Sequence, residues 1–60
     1  MEIDWIDSIV DKIGVKKLDH DTLNEYLDTL HTAFESPITD EKIRQRSYHL
    51  YQKIIKTARN

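Results

Sequence analysis

The chain has 60 residues, no Cys, one Gly and one Pro, with 33% charged and 38% hydrophobic residues. That length holds one domain with a thin core. It admits neither a disulfide framework nor a Cys-ligated zinc site. The net charge of −2 with many Ile, Leu and aromatic residues argues against disorder. The scarcity of Gly and Pro argues against a hairpin-rich all-β fold. No apolar run approaches the ~18 residues of a membrane span. The Met-Glu-Ile-Asp start lacks the basic segment of a signal peptide, so a cytoplasmic location is expected.

The first predicted helix covers about residues 3–13. Ile3, Ile6, Val10 and Ile13 share a face, with Ile9 beside them and Trp5 at the margin. Asp4, Asp7 and Asp11 lie on another face, and the first two suit the positive end of the helix dipole. Gly14 stands where a left-handed capping residue is expected.

The second predicted helix covers about residues 20–35, opened by Asp19 or Asp21. Its apolar face is Leu23, Tyr26, Leu27, Leu30, Ala33 and Phe34, with Tyr26 and Phe34 expected in the core. Leu18 is placed to act as a hydrophobic staple, and Ser36-Pro37 ends the helix.

The third predicted helix covers about residues 39–58, with Thr39 or Asp40 as its start. Ile43, Ser47, Leu50, Tyr51, Ile54 and Ala58 make one stripe, which Tyr48 and Ile55 widen. Three amphipathic helices with short loops predict an all-α fold, a small antiparallel three-helix bundle spanning 1–60 as a single domain. The rival is a helical hairpin that completes its core as a dimer.

The net charge conceals an asymmetry. Residues 1–36 carry nine acids against three bases, and residues 37–60 carry six bases against two acids, so −6 and +4 give −2. On the third helix Lys42, Arg46, His49, Lys53 and Lys56 fall on one stripe, a candidate anion-binding surface. A solvated face attracted to the acidic helices explains the same stripe. Residues 9–15 look like the start of a helix-turn-helix, but the would-be recognition helix begins Asp19-His20-Asp21, and these acids would repel phosphates. The isoelectric point near 5.8 also argues against a dedicated nucleic-acid binder.

No chemistry-bearing constellation stands out. His20, His31 and His49 lie on separate segments without metal-site spacing. Ser8, Ser36 and Ser47 lack a nucleophile elbow, and there is no Gly-rich phosphate loop. A bundle this small is expected to lack the cavity of several hundred cubic ångströms that substrate pockets usually need. The expectation is therefore a non-enzymatic module without cofactor or metal, a regulator, inhibitor or adaptor that binds another protein. Its candidate contacts are Trp5, Arg44, Arg46, Tyr48 and Ile55, since Trp, Tyr and Arg dominate interface hot spots. A homo-oligomer is a further partner to consider. The alternatives are a nucleic-acid accessory protein using the third helix and an acidic mimic of nucleic acid using the first two.

Overall fold

The computed structural model describes residues 3–59, and these form an all-α bundle of three helices. They are α1 (Asp4–Ile13), α2 (His20–Glu35) and α3 (Glu41–Arg59), with a short 3₁₀ turn, Val15–Lys17, between α1 and α2. The cross-helix contacts give the directions. Phe34 meets Tyr48 and His31 approaches Tyr51, so α2 and α3 run antiparallel. Arg46 reaches Asp4 and Asp7, and Lys53 shares a cleft with Asp11, so α1 runs parallel to α3. This is an up-down-up bundle about 32 Å long.

The core is a single cluster of Ile3, Ile6, Val10, Val15, Leu23, Leu30, Leu50 and Ile54, with Leu18, Tyr26, Leu27 and Tyr51 packed against it. Ile6, Leu30 and Ile54, one from each helix, are wholly shielded from solvent. Ala33 and Ser47 are also fully buried, and their small side chains suit the close approach of α2 and α3 near the Phe34–Tyr48 level.

Each helix end has a local cause. Ile3 opens α1 without a side-chain cap, its carbonyl accepting from the Ile6 and Asp7 N–H groups. The Gly14 N–H donates to the Val10 carbonyl, and Gly14 then adopts φ 91°, ψ 140°. Its φ is positive as expected, but its ψ is extended rather than left-handed helical, which turns the chain at once into the 3₁₀ turn. That turn carries Val15 into the core and leaves Ile13, expected on the buried face, 48% exposed. Asp19 is the residue before α2, with the Thr22 hydroxyl donating to its carboxylate. Leu18 and Leu23 line one cleft across this cap, the staple arrangement. Ser36 is extended before Pro37, as the proline ring requires. Asp40 rather than Thr39 starts α3. Its Oδ1 accepts from the Lys42 N–H at 2.8 Å and its carbonyl from the Arg44 N–H at 2.8 Å. Asp40 was one of the two expected starts, and the helix proper runs from Glu41.

Candidate functional site

Of the five candidate contacts, three lie together. Arg44, Tyr48 and Ile55 follow one another along α3 with Tyr51 between the last two and Arg59 beyond, at spacings of four, three, four and four. That spacing keeps residues on one helical stripe. The stripe borders α2, because Tyr48 and Tyr51 both pack edge-on against Phe34, with ring centroids 5.5 and 5.3 Å apart. His31 joins the group, 5.1 Å from the Phe34 ring and 6.2 Å from Tyr51. Edge-to-face packing at these separations fixes ring orientation beyond what area burial alone would do. Tyr48 is thus held by Phe34 while 49% of its surface stays open.

Phe34 was expected in the core. It lies instead outside the buried cluster, half-buried, as the centre of this surface group. The α2 side of the face is the line Asn24, Leu27, His31 and Phe34, whose three-four-three spacing was the available signal for it. Asn24, Leu27, Asp28, His31 and Tyr51 enclose an open groove of about 460 Å³. A second groove of about 490 Å³ runs between α1 and α3. The expectation concerned an enclosed substrate cavity, and these two are open furrows. The helices diverge enough to leave furrows, both open to solvent rather than enclosed.

The electrostatics of the α2–α3 face are lopsided. Along its α2 edge run Asp21, Asp28 and Glu35 at seven-residue intervals, all exposed. Glu35 lies 3.9 Å from His31. On α3, Arg44 and Arg59 stand near the two ends of the Tyr48–Tyr51–Ile55 stripe, and Glu41 lies in line with Arg59. The Arg44 Nε is buried and, among the described residues, meets no acceptor.

Trp5 and Arg46 are elsewhere. Trp5 is 49% exposed and packs edge-on against Tyr26 of α2, 5.4 Å between centroids, so it belongs to the α1–α2 side. Arg46 turns towards α1, donating to Asp4 through Nη1 and to Asp7 through Nη2 at 3.3 Å. The hydrogen bond to Asp4, then its negative charge, hold the guanidinium above its ordinary pKa.

The basic stripe of Lys42, Arg46, His49, Lys53 and Lys56 is therefore not an isolated positive surface. Asp4, Asp7, Ser8 and Asp11 line the same groove as Arg46 and Lys53, and Asp7 shares a further cleft with Arg46, His49 and Lys53. Acids of α1 stand against the middle of the stripe, opposing the attraction it would offer a phosphate backbone. Asp19 has its pKa lowered, chiefly by the hydrogen bond from the Thr22 side chain. No group of three or more His, Asp or Glu among the described residues could hold a metal ion. No helix among them is long and apolar enough to cross a membrane.

No protein-family model matches the chain, and no curated protein or solved structure is significantly similar to it.

Proposed function

We propose that the protein is a small, non-enzymatic interaction module, a regulator or adaptor that works by binding other proteins. One observation carries this reading. Trp5 and Tyr48 are each half-exposed yet pinned edge-on by an inner ring, Tyr26 or Phe34. Aromatic side chains held in one orientation before binding lose little conformational entropy on contact, which makes them efficient anchors. Arg44 and Ile55 extend the Tyr48 anchor along α3. The absence of Cys suits a cytoplasmic setting, where thiols gain nothing as crosslinks.

A photo-reactive amino acid placed at position 5 or 48 in the living cell tests the reading. Each should give a discrete protein adduct, whereas the same group replacing Lys12, exposed on α1, should give none. Equal labelling at all three positions, or no adduct at 5 and 48, would sink the reading.

A further inference from the structure

We propose that the furrow between α2 and α3 receives an amphipathic helix of another protein, one with Lys or Arg along a single flank. This rests on the reading of that face as a docking surface and names the chemistry of its occupant.

The walls of the furrow call for a helix. Asn24, Leu27, His31 and Tyr51 line it, and Phe34 and Tyr48 continue its apolar strip towards the α2–α3 loop. Both walls are helices, so their backbone N–H and C=O groups are already paired within α2 and α3. An extended segment laid there would exchange its bonds to water for none from the walls. A helix pairs its own backbone and needs only side-chain contact, the helix-in-groove mode of recognition.

The charge of the furrow selects the flank. Asp21, Asp28 and Glu35 run along the α2 edge at seven-residue intervals, and α2 has no Lys or Arg. Among the described residues Asp21 and Asp28 are in no ion pair, and Glu35 has His31 alone, at 3.9 Å. On the α3 side Glu41 and Arg59 cancel, and Arg44 offsets one acid. Three acids less one base leave −2 with His neutral. Seven residues of helix rise about 10.5 Å, so a helix lying along α2 meets all three acids with cations at that same spacing. A second copy of this chain is the wrong partner. Its matching face is equally acidic, and like charges would meet. Its basic α3 keeps Leu50 and Ile54 in its own core.

Two dye-labelled peptides of about 18 residues test this, sharing one Leu stripe and carrying either Lys or Glu elsewhere. With the full chain in about 0.05 M salt, fluorescence anisotropy should give the Leu/Lys peptide a Kd of ~10 μM. The Leu/Glu peptide should bind about tenfold weaker or worse, as should a Leu/Lys peptide of scrambled order, which forms no stripe. Raising the salt to about 0.5 M should weaken the Leu/Lys peptide on the order of fivefold. Its binding should move the NMR amide signals of Leu27, His31 and Tyr51 rather than those of Asp4, Asp7 and Asp11. Asp28→Lys/Glu35→Lys, at two exposed positions, should weaken binding on the order of tenfold with helicity unchanged by circular dichroism. If that variant loses helicity, Asp21→Asn/Asp28→Asn should still weaken it. No binding at about 1 mM, or equal binding of the three peptides, overturns the proposal. So do shifts confined to the α1 acids, or folded charge variants that bind as the wild type does. A chain that sediments at twice 7.2 kDa, with the same three amides moving as its concentration rises, puts a second copy in the furrow and overturns it as well. Failure of the Leu/Lys peptide alongside a protein adduct at position 48 would refute the basic helix and leave the interaction reading standing. Binding of that peptide with no adduct at positions 5 and 48 would sink the interaction reading and support the chemistry assigned to the furrow.

Discussion

Arg46 on α3 ties down Asp4 on α1 across 42 residues of sequence, and its second amino group reaches Asp7 one turn further along. One side chain thereby bridges two parallel helices that no loop joins directly. Arg46→Ala should lower the melting temperature slightly, and the loss should shrink in about 1 M salt, where the screening length is ~3 Å. The Asp4→Asn/Asp7→Asn variant should give a similar loss, with little added by combining it with Arg46→Ala. Additive losses in that double-mutant cycle would mean the three residues act separately.

Leu30 is fully buried at the centre of α2. Leu30→Ala removes core volume that neighbours cannot refill and should cost about 2–5 kcal/mol. A domain of this length holds roughly 3–9 kcal/mol in all. Urea unfolding should therefore find the variant largely or wholly unfolded; a wild-type midpoint would place Leu30 outside the core.

Ser47 is the contrary case. Its hydroxyl is buried with no hydrogen-bond partner among the described residues. Ser47→Ala removes an unsatisfied polar group and adds helix propensity, so it should stabilise by about 1 kcal/mol. A destabilised variant would reveal a partner for the hydroxyl, such as an internal water.

Gly14 holds φ 91° in open space, with nothing within 4 Å of where a Cβ would stand. Gly14→Ala should cost about 1–2 kcal/mol, purely through the backbone torsion. Urea unfolding checks this, and an unchanged midpoint would mean the turn accepts a side chain at these torsions.

The hydrogen bond between Thr22 and Asp19 sets a pH dependence. Its folded-state pKa lies below the ordinary 3.8, chiefly through the Thr22 hydrogen bond. Its stabilising contribution is therefore full above that ordinary value and is lost as the pH falls through the lower folded value. Thr22→Val should raise the Asp19 pKa in a carbon-detected NMR titration. An unchanged titration would mean the hydroxyl does not hold the carboxylate.

Much of the fold was legible because it depends on local periodicity. α2 appears at its expected residues, since its start and stop are set by Asp19 and by Ser36-Pro37, signals within a few residues of each end. The misses are positions where tertiary geometry decides. Ile13 and Val15 compete for one core position, and the turn at Gly14 settles it for Val15. Phe34 fits the apolar stripe of α2 equally well as core or rim, and its contacts with Tyr48 and Tyr51 of α3 hold it at the rim. The grouping of Arg44, Tyr48 and Ile55 on one stripe was readable from spacing, but the rings of α2 that complete the face were not. The pairing of Arg46 with α1 leaves no trace in any local window, because it depends on the helix order around the bundle.

The ten residues of α1 carry a consequence for how the molecule opens. A helix so short does not persist alone in water. It contributes Ile6 and Val10 to the core, and its far end is held by Ile3 and Ile6 with the exposed Arg46 ion pairs beside them, whereas α2 and α3 form a long hairpin with a short loop. The hairpin is the more cooperative unit, and α1 is the flap that lifts from it. Amide hydrogens of Val10 to Ile13 should exchange well ahead of those around Leu30 and Ile54, and Arg46→Ala should widen that gap. In the interval when α1 is lifted, Leu30 and Ile54 lose their cover, so the chain's shortest helix sets how often its core meets water.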